Sequence, residues 1–168
     1  MAIATDADLL TAVLRCYKPH CRYLTSAEVT RDADVVSGSG VMHIPESCYI
    51  DDTGHLNSVE VGICYNQLLY QVIAASVRDG LLPELSSWSM DDFWRRQLRD
   101  VLIAHFSCDF RRPLDPRSFR MALTIDRAVR RTLRPGADPL VSLETSFQCW
   151  DDKGGACSGA ARVAIVGS

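Results

Sequence analysis

The apolar residues of the chain follow two spacings, and these divide it into elements. Leu9, Leu10, Val13 and Leu14 recur at helical intervals. They predict a short amphipathic helix over 7–15, within an N-terminal helical segment 1–20 that Lys18-Pro19 closes. Two strands are predicted next, Arg22–Thr30 and Asp34–Ile44, joined by a turn at Asp32-Ala33-Asp34, with Gly38 and Gly40 loosening the second. The longest apolar stretch runs from Val59 to Val77 and includes Ile63, Leu68, Leu69, Val72 and Ile73. It predicts a central helix over 57–79 that is apolar on nearly every side, and such a helix belongs in the middle of a fold. Asn57 suits its N-cap, Glu60 three residues on suits a capping box, and Thr53-Gly54 supplies the turn before it. Gly80 and Pro83 break the pattern, and Ser89–Asp100 reads as a shorter helix capped by Ser89. Alternation of period two then predicts four strands, at Leu102–Phe110, Ser118–Asp126, Leu143–Cys149 and Ala161–Ile165, with turn-rich breaks between them. Strands on both sides of one apolar helix give an α+β fold, an antiparallel sheet around a central helix, in a single domain over 1–168.

Composition narrows the class. The 168 residues are 47% hydrophobic and 23% charged, as in an ordinary soluble globular domain. A net charge of −3 argues against a nucleic-acid partner, and the cluster Arg127, Arg130, Arg131 and Arg134 reads as a solvated face. No stretch approaches the roughly 18 apolar residues of a membrane span, and the N-terminus lacks the basic region of a secretory signal. The seven cysteines are odd in number and form no CxxC pair, so they read as reduced thiols in a cytoplasmic protein without a structural metal.

The chemistry has to come from polar residues set into apolar surroundings. There is no phosphate loop, no dinucleotide fingerprint and no nucleophile elbow, so no cofactor is expected. His20, His43 and His105 read as structural histidines. Tyr49, His55, Asn57, Glu60 and Asn66 crowd onto the start of the central helix and the loop that feeds it. Asn57 and Glu60 have a structural explanation as cap and capping-box partner; Asn66, in mid-helix, has none. Tyr49 can donate to an oxyanion, and His55 can act as acid or base. A helix start lined by neutral donors suits a carbonyl or carboxylate, without naming a reaction.

The segment ESCYIDDTGHLNSVEVGICYNQLLY, with WSMDDF at 88–93, FRRPLDP at 110–116 and CWDDKGGACSG at 149–159, resembles the FcoT-like acyl-thioesterase family of actinobacteria. The resemblance runs from about Leu9 to Val166 and implies the hot-dog fold, an antiparallel sheet wrapped around a long central helix. It also implies a homo-oligomer with acyl-thioester sites at subunit interfaces. The family's Tyr and Asn positions fall here on Tyr17, Tyr49, Asn57 and Asn66. Some relatives add the amine of glycine to C3 of a (2E)-enoyl thioester on an acyl carrier protein, in isonitrile lipopeptide or β-amino acid biosynthesis. By that resemblance the chain is a glycine-adding lyase, with thioester hydrolysis as a possible second activity. The alternatives are a long-chain acyl-CoA thioesterase and a non-catalytic acyl-binding protein. Charge type makes His55 or Glu60 the candidate base, and Lys18, Arg111 or Arg112 the candidate holder of the glycine carboxylate.

Overall fold

The structure, a computed structural model, describes residues 2–3 and 6–167. Residues 1, 4, 5 and 168 of the expected domain, three of them in its N-terminal segment, lie outside the described residues. The elements are strand β1 (Ala2–Ile3), helix α1 (Ala7–Val13), strands β2 (Leu24–Asp32) and β3 (Val35–Met42), and helix α2 (Ser58–Asp79). Helix α3 (Met90–Arg96) and strands β4 (Val101–Arg112), β5 (Phe119–Arg131), β6 (Leu140–Trp150) and β7 (Ala156–Val166) complete the chain. The strands form one sheet in the order β1-β2-β3-β5-β6-β7-β4, and every pairing is antiparallel. Helix α2 lies on one face of that sheet, packed on β2, β3 and β5. This is the α+β arrangement that the sequence predicted.

Helix α2 begins and ends where its residues require. The Asn57 side chain caps the start by accepting from the Glu60 N–H at 3.0 Å. Gly80 takes the left-handed conformation at the end (φ 65°), and the Leu81 N–H returns to the Ser76 carbonyl. Its 22 residues span about 33 Å. Polar side chains within it bond to the sheet. Gln67 Oε1 accepts from the backbone N–H groups of Tyr23 and Leu24, while its Nε2 donates to the Cys21 carbonyl. Tyr65 OH and Thr145 Oγ1 lie 2.6 Å apart; Thr145 donates onward to the Ala161 carbonyl, so the tyrosine is the donor.

Several predicted elements change on inspection. Gly38 and Gly40 do not loosen β3; Gly38 lets the helix approach it, and Gly40 makes room for the neighbouring strand β2. A Cβ on Gly38 would stand 2.4 Å from Val72 Cγ2, and one on Gly40 would stand 2.4 Å from Leu24 Cδ1. The helix predicted over Ser89–Asp100 stops at Arg96. Residues 97–100 turn instead, which brings the Asp100 carbonyl to the Val166 N–H and sets β4 beside β7. The alternation over Leu102–Phe110 does not mark one buried face. Strand β4 is the sheet edge, a bulge between Ile103 and His105 shifts its register, and Leu102, Ile103 and Phe110 are exposed. Helix α2 is not buried all round either: Val59 is 51% exposed, and Gly62, Ile63 and Asn66 are half-buried on the same stripe.

The close approach at Gly38 gives a stability prediction. Gly38→Ala should lower unfolding free energy by about 1–3 kcal/mol, because Val72 is fully buried and its β-branched side chain is stiff. Val72→Ala should then cost less in the Gly38→Ala background than in the wild type. Chemical denaturation of the four proteins measures both; equal costs would show that the methyl group is not what Gly38 accommodates.

Candidate active site

The loop from Pro45 to Asn57 is fastened at both ends to the segment that follows β4. The Ile44 N–H donates to the Pro116 carbonyl and the Leu56 N–H to the Leu114 carbonyl, each at 2.9 Å. Within the loop, Gly54 N–H donates to Asp52 Oδ1, and Thr53 Oγ1 to the His55 carbonyl. His55 Nδ1 lies 3.0 Å from the Thr53 carbonyl. A carbonyl only accepts, so this nitrogen carries the proton and Nε2 is left as the basic one.

Asn57 joins three groups. Its Oδ1 accepts from the Glu60 N–H at 3.0 Å and from Tyr49 OH at 2.9 Å, and its Nδ2 donates to Glu60 Oε2 at 2.8 Å. The cap bond fixes the orientation of the amide, because an N–H needs an oxygen opposite it. One hydrogen of Nδ2 is left over. The first helical N–H groups, of Ser58 and Val59, have no carbonyl within the helix to receive them. Thus the helix start presents several donors together, at the positive end of the α2 dipole.

An open cavity of about 440 Å³ lies beside this start. His55, Leu56, Asn57 and Ser58 form one wall; Cys108, Phe110, Arg111, Arg112 and Pro113 form the other. A second bulge, between Phe110 and Arg112, leaves Arg111 as the extra residue in β4. Both arginines are exposed and, among the described residues, neither has an ion-pair or hydrogen-bond partner. Glu60 is 3% exposed and does not line this cavity, so His55 is the one of the two candidate bases that reaches it. Another cavity of about 390 Å³ is lined by Asp52, Asp115, Arg117, Asp151 and Lys153. Its charges already satisfy one another: Lys153 pairs with Asp115 at 2.7 Å and Arg117 with Asp52 at 3.2 Å. Asp151 accepts from three backbone N–H groups and holds the turn between β6 and β7.

Tyr17 and Asn66 form a separate pair. Asn66 Nδ2 donates to Tyr17 OH at 2.9 Å, so the phenolic hydrogen of Tyr17 remains available. Tyr70, one turn beyond Asn66, was not singled out from the sequence. Its ring centroid stands 6.4 Å from that of Tyr17. The i, i+4 spacing of Asn66 and Tyr70 was the signal that would have found it. Burial, with Tyr70 alongside, pushes the Tyr17 phenol far above its ordinary range; burial raises Tyr70 as well. Both therefore serve as neutral donors. Asn66 lies nine residues from Asn57, about 13 Å along the helix axis, so the two sets do not meet on one carbonyl within a protomer. Lys18 is exposed in the turn after Tyr17 and lines neither cavity. Among the described residues no group of three His, Cys, Asp or Glu side chains is placed to hold a metal.

Comparison with known proteins agrees with this architecture. The solved structure of Lactococcus lactis yhdA superposes with a TM-score of 0.54 at 11% identity, covering 86% of this chain and 91% of that one, a likeness of fold. A (2E)-enoyl-[ACP] glycyltransferase from Streptomyces coeruleorubidus is 51% identical over 162 residues, which is 96% of this chain and 98% of that protein. A (2E)-enoyl-[ACP] glycyltransferase from Mycobacterium marinum is 38% identical over 97% of this chain and 88% of its own length. Residues 12–165 match the FcoT-like thioesterase domain, and the chain belongs to that family.

Proposed function

We propose that the protein adds the amine of glycine to C3 of a (2E)-enoyl thioester carried by an acyl carrier protein. The observation that supports this most directly is the 440 Å³ cavity, where a histidine with a free Nε2, unpaired arginines and a donor-rich helix start face one space. The names of the curated relatives supply the reaction class. The glycine ammonium gives a proton to His55 Nε2, and Arg111, with Arg112 beside it, holds the carboxylate. The freed amine forms the N–C3 bond while the C2=C3 electrons move toward the thioester, and its oxygen takes the negative charge. The spare hydrogen of Asn57 Nδ2 and the Ser58 N–H stabilise that oxyanion. His55 then returns its proton to C2. Tyr49, whose hydrogen is engaged on Asn57, positions the amide and can turn to the oxyanion when substrate arrives. Glu60 orients Asn57 from behind. The same oxyanion donors suit water attack on the thioester, so hydrolysis is the second reading, favoured by the family match.

The site is completed by a second copy of the chain. Among the described residues strand β4 leaves one edge unpaired over 12 residues and exposes Leu102, Ile103 and Phe110, and the Val59–Asn66 stripe of α2 is open. Pairing β4 with its counterpart across a two-fold axis covers the edge and brings Tyr17 and Asn66 of one protomer to the helix start of the other. Among the described residues no helix is long and apolar enough to cross a membrane, and all seven cysteines are free thiols; a cytoplasmic enzyme fits both.

Mass spectrometry of the protein with a medium-chain (2E)-enoyl thioester should show a glycine adduct only when enzyme and glycine are both present. Free acid formed at one rate with or without glycine would make it a hydrolase. His55→Gln should remain folded and lose about 10²–10⁴ in turnover. Arg111→Ala should raise the KM for glycine about tenfold or more and leave that for the thioester unchanged; the reverse pattern would give Arg111 to the thioester. Tyr17→Phe and Tyr49→Phe homodimers should each be impaired, yet after subunit exchange the mixture should recover up to about a quarter of wild-type activity. No recovery would mean that both tyrosines serve the same protomer.

A further inference from the structure

A small, partly open cavity of about 20 Å³ is walled by Ser47, Thr53, His55, Glu60 and Arg117 among others, on the loop that carries Tyr49 and the start of α2. That is room for one water molecule. Ser47 Oγ is buried without a hydrogen-bond partner, and folded proteins rarely leave such an atom unmet. Glu60 is also buried, and the side-chain bond to its carboxylate is the one that Oε2 accepts from Asn57. A carboxylate offers about four acceptor positions. An orphan hydroxyl and an under-used carboxylate thus border the same water-sized space.

We infer that this cavity binds one water molecule between Ser47 Oγ and the Glu60 carboxylate, which makes Ser47 a positioning residue for Asn57 and Tyr49. The inference rests on the reading that Asn57 and Tyr49 serve the thioester carbonyl. The water donates one hydrogen to the carboxylate and meets the serine hydroxyl with its remaining capacity. Held from behind, the carboxylate keeps Oε2 toward Asn57 Nδ2, so Asn57 Oδ1 stays toward Tyr49 and the Glu60 N–H. Without the serine hydroxyl, the carboxylate loses that support, and its bond from Asn57 Nδ2 is left as its side-chain contact.

Crystallography and kinetics together test this. A high-resolution crystal structure should show one density peak within about 3.2 Å of both Ser47 Oγ and a Glu60 oxygen. Ser47→Ala should lower kcat about tenfold with the KM for the thioester unchanged, and Ser47→Thr, which keeps the hydroxyl, should restore most of it. In a Glu60→Gln background, Ser47→Ala should add little, because both changes break one chain of contacts. An empty cavity, an unaffected Ser47→Ala enzyme, a threonine no better than alanine, or losses that add independently would each overturn the inference. Full activity in Asn57→Ala would instead sink the assignment of Asn57, while the density would still decide the water.

Discussion

Asn57 is the residue on which the proposed site depends. Its side chain begins α2 by capping the Glu60 N–H, and the same oxygen receives Tyr49 OH. Its nitrogen meets the Glu60 carboxylate, so one amide links the helix, the loop and a buried acid. The chemistry that starts a helix and the chemistry that would hold an oxyanion are here one arrangement. Both require N–H groups without internal partners at the positive end of a dipole. Replacing a cap costs about 1 kcal/mol of stability in general. Here the same replacement would also remove the contacts that hold Tyr49 and Glu60 to this amide.

The helix in turn depends on how closely the sheet lets it lie. Gly38 removes a side chain where α2 crosses β3, and Val72 occupies that space, while Gly40 leaves room for Leu24 of β2. Gln67 then reaches the buried backbone N–H groups of Tyr23 and Leu24 at the start of β2. Polar residues inside an apolar helix thus do different work along its length. Gln67 and Tyr65 tie it to the sheet, while Asn57, Glu60 and Asn66 serve its open end and side.

Much of this was legible in the sequence. The N-cap at Asn57, the Gly80 stop and the Asp32–Asp34 hairpin turn follow local rules, and all appear as read. The order of helices and strands from α1 onward was also right, because long periodic segments carry strong signals; strand β1, which the expected helical segment 1–20 did not include, is two residues held by pairing with β2. What failed was non-local. Alternation in β4 cannot reveal that the strand lies at an edge with two bulges, since that depends on which strands it meets. Nor can one chain's sequence show that Tyr17 and Asn66 sit apart from Tyr49 and Asn57. The separation follows from about 13 Å of helix, and residue type alone does not encode it.

The sheet order has a consequence for how the chain is made. Among the described residues strand β4 pairs only with β7, which lies at 156–166, although β4 itself ends at Arg112. The cavity wall with Phe110 and Arg111 therefore has no neighbouring strand to bond within the chain until β7 has left the ribosome. Helix α2, β2 and β3 can associate earlier through nearer contacts. One side of the pocket is present early in synthesis and the other arrives last, so a partly made chain lacks the cavity in which the reaction would occur.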